Sequence, residues 1–201
     1  MKEIVVVAPV NFMSEGARRD ISDDLYGNVG LLEGDQRTDV EWAQIAIDEG
    51  AKILVSRGGT YERVKSKFDI PIVEINVTAF DLIEGFKEVK RLDQSGLVGV
   101  IGYHNVIDGA DIVAEVMKLT AVCYRIKDTS SVLSEIERQM RLGVGVFMGD
   151  GNVVRAAKKY DCKTVLVHSG SQAIQGSSLK GVGKAVFWVG MGSDRLGSSL
   201  L

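Results

Sequence analysis

Ser56-Arg57-Gly58-Gly59-Thr60 combines the residue types that an anion site needs. Glycines let backbone N–H groups come close to a ligand, a helix start carries a partial positive charge, and Arg57 offers a planar fork of donors that matches a carboxylate or phosphate. Thr60 is expected to cap the helix that follows. Any strand-to-helix turn favours glycine and threonine, but it does not require a long cation, so Arg57 is what points to a ligand. Gly149-Asp150-Gly151-Asn152 is a second such turn. There Asp150 can accept a hydrogen bond from a ligand hydroxyl or cap its own helix, and capping is the favoured single role.

His104, between Tyr103 and Asn105, and His168 both fall at strand ends. A rim histidine held by hydrogen bonds accounts for each, and His104 is the better ligand candidate. Ser169-Gly170-Ser171 opens the last helix and can offer hydroxyl and N–H donors. No spacing suits a metal, and no GxSxG elbow suits a serine hydrolase. Nucleotide signatures fail as well. Gly183-Lys184 is followed by Ala185 with Ser178 where a P-loop needs glycine, and Gly149-x-Gly151 has Val154 in place of a third glycine.

The elements that must position these residues are runs of Ile, Val and Leu alternating with helical patterns. Strands are expected at 4–8, 29–32, 53–56, 72–75, 97–101, 121–126, 144–148 and 164–167, and helices at 40–49, 61–68, 79–92, 107–119, 131–142 and 153–160. This alternation implies right-handed crossovers and parallel sheets. An offset of about 93 residues aligns the first four strand patterns with the last four without a gap, pairing Ile4 with Leu97, Val29 with Val122 and Ile53 with Val146. The expected fold is α/β: two similar doubly wound four-stranded domains, each three-layer α/β/α, with an interdomain cleft. Residues 1–92 form the first half including the crossover helix, residues 93–175 the second, and residues 176–201 a segment with six glycines that packs back on the first half.

The 201 residues carry a formal net charge of −3 and no basic cluster, which argues against direct nucleic-acid binding. The apolar start is too short for a signal peptide, and no window suits a membrane span. Cys123 and Cys162 are read as reduced thiols of a cytoplasmic protein.

The run Ile53 to Thr60, with Ile70-Pro71-Ile72-Val73-Glu74-Ile75 and Phe80-Asp81-Leu82-Ile83, resembles the N-terminal sensor domain of propionate catabolism activators. Those are sigma-54-dependent, NtrC-type transcriptional regulators of bacteria. Gly149-Asp150 and His168-Ser169-Gly170-Ser171 with Ala173-Ile174 are similar too, and the likeness extends over residues 1 to about 175. The resemblance implies two α/β domains around a cleft and an effector such as 2-methylcitrate. It also implies AAA+ ATPase and DNA-binding output domains that lie in a longer parent protein. The glycine-rich tail departs from the family pattern.

The expected function is therefore effector sensing without catalysis or cofactor, with oligomeric state left open. Arg57, Gly58, Gly59 and Thr60 hold the anionic group, and His104, Asn105, Asp150, Ser169 and Ser171 complete the site. The competing expectation is a small-metabolite enzyme using His104 or His168 as general base. A third is an interaction module acting through its surface.

Overall fold

Ile-Val-Val-Val-Ala-Pro is apolar at every step, so it can only be a strand covered on both faces, and Ile4–Pro9 forms β1 at the centre of a parallel sheet. The computed structural model describes residues 2–9, 12–22, 29–34, 38–127 and 129–177. They divide into two compact units, one of residues 2–9, 15–22, 29–34, 38–75 and 171–177, the other of residues 12–14, 76–127 and 129–170.

The first unit runs β1, α1 (Glu15–Ser22), β2 (Val29–Gly34), α2 (Asp39–Asp48), β3 (Ile53–Ser56), α3 (Gly58–Lys65) and β4 (Ile72–Glu74). Its sheet has the order β2-β1-β3-β4, all parallel. On one face Val5, Val7, Leu54 and Ile72 pack with Ala43 and Ala46 of α2 and Val64 of α3. Ile4, Val6, Ile53 and Val55 point the other way and are equally buried.

The second unit runs α4 (Ala79–Leu92), β5 (Leu97–Gly102), α5 (His104–Ile107), α6 (Ala110–Val116), β6 (Thr120–Arg125), α7 (Ser131–Arg141), β7 (Val146–Gly149), α8 (Gly151–Lys158) and β8 (Lys163–Leu166). The sheet order β6-β5-β7-β8 repeats that of the first unit, again all parallel. Leu82, Phe86 and Val89 of α4, with Val106, Ala110 and Ala114, cover Val98, Val100, Val146 and Met148 on one face. Val132 and Ile136 of α7, with Val153, Ala156 and Ala157 of α8, cover Ile101 and Phe147 on the other. The two cores sandwich the sheet, a three-layer α/β/α arrangement.

All eight expected strands are present, and the fold class is the expected α/β pair of parallel four-stranded sheets. Several details differ. Ile4 faces Val29 while Leu97 faces Thr120, so the counterpart of Val29 is Thr120 and not Val122. Val6 faces Val55 while Gly99 faces Phe147, so Val55 corresponds to Phe147 and not Met148. The gap-free repeat therefore slips by one or two residues after the first strand, because the β5–β6 connection is shorter than its β1–β2 counterpart while the β6–β7 connection is longer than β2–β3. Helix α4 belongs to the second unit's core, so the compact units divide at Ile75 and Asn76 where the sequence suggested a boundary after Leu92.

The expected helix 107–119 is two helices, broken where Gly109 takes a φ of +82°, a conformation glycine adopts without a Cβ penalty. Helix α1 was missed. Ala17 and Ile21 are its buried apolar positions, a pair too sparse to give a periodic signal. Val10, Asn11, Asp35, Asp128 and the glycine-rich segment beyond Ser177 lie outside the described residues.

Candidate functional site

In an open parallel sheet, ligands bind beyond the carboxyl ends of the strands at the point where the strand order reverses. In the first sheet that point lies between β1 and β3, beside Pro9 and Arg57; in the second it lies between β5 and β7, beside Tyr103 and Asp150. Two of the expected site groups flank the second reversal. His104 and Asn105 open α5 straight after β5, and Asp150 follows β7, the adjacent strand.

At the first reversal the end of β3 is pinned on both sides. Ser56 Oγ donates to the Val7 carbonyl at 2.7 Å, and the Ile75 N–H donates to the Ser56 carbonyl at 2.7 Å. Arg57 is then the N-cap of α3, in extended conformation, and Gly58 turns the chain into the helix with a φ of +55°. The helix thus starts at Gly58, and Thr60 lies in its first turn, which corrects the expectation that Thr60 caps it. The Thr60 hydroxyl instead accepts from Arg63 Nη2 at 3.3 Å, and Arg63 Nε donates to buried Asp39 of α2 at 2.8 Å.

An arginine at the N-cap has no acceptor and so makes no side-chain cap. The N–H groups of Gly58, Gly59 and Thr60 precede the first intrahelical bond, from Tyr61 N–H to the Arg57 carbonyl. Arg57 and Thr60 are 7% and 2% exposed, so the groups that would meet an anion are largely withdrawn from water.

The matching turn of the second unit is finished differently. Asp150 Oδ1 accepts from the N–H groups of Asn152 at 2.9 Å and Val153 at 3.1 Å, closing the α8 terminus with a carboxylate from the chain itself. Asp150→Ala is expected to destabilise the second unit by about 1 kcal/mol through loss of this cap. A urea midpoint equal to wild type would show that the cap contributes nothing.

Ser169 is fully buried and sits beyond β8, where it forms a parallel bridge with Met13; its N–H donates to the Phe12 carbonyl at 3.1 Å. Ser171 begins the helical stretch 171–177 and falls in the first unit, whereas the sequence had grouped it with the second. His168 is exposed. Among the described residues no cluster of His, Cys, Asp and Glu could hold a metal ion, and no helix is long and apolar enough to cross a membrane. Cys123 and Cys162 are unbridged, and burial pushes the Cys123 thiol up to about 11, so at neutral pH it is no nucleophile.

Residues 24–178 match the propionate catabolism activator family. The chain belongs to that family. As a member it is a regulatory sensor domain of sigma-54-dependent transcriptional activators. Its fold is also that of a solved NtrC family transcriptional regulator from Clostridium acetobutylicum, with a TM-score of 0.74 at 16% identity over 91% of this chain and 96% of that one. The ABC domain in complex with L-Trp from Streptococcus pneumonia reaches a TM-score of 0.42 at 12% identity, over 80% and 72% of the two chains. An ABC sugar transporter subunit from Rhodobacter sphaeroides reaches 0.38 at 16%, over 81% and 76%. Neither of these two scores is high enough to bear on the site. A search of curated proteins returned no match.

Two features of this propionate catabolism activator domain were not singled out from the sequence. Asp81 of α4 is buried and makes a capping box with Thr78, accepting from the Thr78 N–H at 2.7 Å and hydroxyl at 2.9 Å. Its other oxygen accepts from the Gly170 N–H at 2.9 Å, tying the segment after β4 to the segment after β8. The Thr-x-x-Asp spacing signals the box, but nothing local signals Gly170. The second feature is an ion pair between Arg18 of α1 and Glu33 at the end of β2. Burial raises the Glu33 carboxyl from its ordinary value, outweighing the Arg18 charge and hydrogen bond.

Proposed function

We propose that this domain senses a small carboxylated metabolite of the 2-methylcitrate kind, held in a cleft between its two halves. It relays occupancy to AAA+ and DNA-binding output domains of a longer cytoplasmic parent protein, and acts by binding without turnover.

The observation that carries this reading is the contrast between the two equivalent turns. Asp150 supplies a carboxylate to the α8 terminus from within the chain, whereas the α3 terminus has buried Arg57 and no side-chain cap. Where the second half provides its own carboxylate, the first half is built to take one from a ligand. Arg57 with the N–H groups of Gly58, Gly59 and Thr60 holds that carboxylate. His104, Asn105, the second oxygen of Asp150, Ser169 and Ser171 serve the rest of the molecule. A ligand that makes contacts from both halves binds one arrangement of them more tightly than others and so shifts the population toward it.

Thermal unfolding in the presence of a panel of metabolites tests the proposal. Di- or tricarboxylates are expected to raise Tm, a ligand at 100 times its Kd adding about 2.7 kcal/mol of stability. If uncharged or phosphorylated metabolites raise Tm and no carboxylate does so at millimolar concentration, the proposal fails.

A further inference from the structure

Ala8 of β1 is level with Glu33 of β2. On its other side β1 pairs with β3 as Ile4–Ile53, Val5–Leu54 and Val6–Val55, and Arg57 continues β3 in extended conformation. Carried two residues further, that register brings Arg57 level with Ala8 as well. Glu33 and Arg57 therefore share one height at the carboxyl edge with a single strand between them, about 10 Å apart at their Cα atoms. Alternation along the strands puts both on the face of Ile4 and Val6, opposite the face that α2 and α3 cover.

The Glu33 side chain is 12% exposed, and its Oε2 is held by Arg18 Nη1. Its Oε1 is buried and has no hydrogen-bond partner among the described residues. A buried acceptor left unmade costs more than a made bond gains, so a donor arriving at Oε1 would be well rewarded. The raised Glu33 carboxyl agrees with an oxygen short of donors.

We infer that Glu33 is the second pole of the effector site: its Oε1 accepts a hydrogen bond from a hydroxyl on the same molecule whose carboxylate lies at Arg57 to Thr60. Arg18 is a positioning residue that holds the Glu33 carboxylate for this contact. The inference rests on the carboxylate-sensing reading above and deepens it, because it makes the domain selective for hydroxylated over plain polycarboxylates.

Calorimetry on the full chain with citrate and with propane-1,2,3-tricarboxylate, which has the same carboxylates and no hydroxyl, tests it. Wild type is expected to bind citrate about tenfold more tightly. Glu33→Ala should bring the ratio close to one. Glu33→Met, of similar length and without an acceptor, gives the same readout should the alanine variant not fold. Binding of both ligands with a ratio that neither variant alters overturns the Glu33 assignment alone. Failure of wild type to bind either ligand overturns the sensing of tricarboxylates and this inference together.

Discussion

Arg57→Ala is expected to weaken binding of a di- or tricarboxylate roughly a hundredfold. A hydrogen bond between charged groups contributes about 1.5–3 kcal/mol, and a guanidinium can make two at once to a single carboxylate. At 7% exposure little water would be at hand to replace the lost donors. About 3 kcal/mol corresponds to a factor somewhat above 100 in Kd. Arg57→Lys keeps the charge but not the planar fork, and should fall between the two. Calorimetry decides the matter: unchanged affinity in Arg57→Ala would remove this residue from the site. A urea midpoint for each variant separates lost binding from lost folding.

Gly149→Ala should have the largest effect on stability. A Cβ at this position would lie 2.3 Å from the Ile101 carbonyl oxygen and 2.9 Å from Val153 Cβ. Ile101 is a fully buried residue of the strand paired with Gly149, and Val153 is fully buried at the start of α8, so neither can move aside cheaply. Overpacking against backbone is expected to cost about 3 kcal/mol or more, concentrated in the second unit. Gly145→Ala is the control, since nothing lies within 4 Å of a Cβ there, and it should stay within about 0.5 kcal/mol of wild type. Denaturant unfolding followed by circular dichroism measures both. A Gly149→Ala midpoint equal to that of Gly145→Ala would show that the β5–β7 edge yields more than this packing suggests.

The eight strands were legible because both sheets are buried on two sides. Such strands require unbroken apolar runs such as Ile4 to Ala8 and Ile53 to Val55, and turn residues bound them. The same property hid the register of the repeat. When both faces are apolar, sliding a strand by one or two residues leaves its hydrophobic pattern almost unchanged, so Val122 looked as good a counterpart to Val29 as Thr120. Helix starts were less legible than strands. Gly58 and Gly59 read as loop residues on propensity, yet the left-handed φ of Gly58 turns the chain into α3 there.

The chemistry of the site divides in the same way. Asp150 as a cap could be read from its position before Asn152 and Val153, because a cap is a contact between residues two and three apart. Glu33 with Arg18 and Asp81 with Gly170 could not, since their partners lie 15 and 89 residues away.

By itself the sequence determined the α/β class and the paired strand patterns, which follow from local composition and spacing. The family followed from the resemblance of the runs around Ile53 and His168, and the turn at Arg57 to Thr60 was the expected place for an anion. Tertiary structure alone decided that α4 belongs to the second core, that the α8 terminus is closed by Asp150 while the α3 terminus has no such cap, and that Glu33 stands level with Arg57 across β1. Those outcomes depend on which distant surfaces meet when apolar area is buried, and on strand register, which no local pattern encodes.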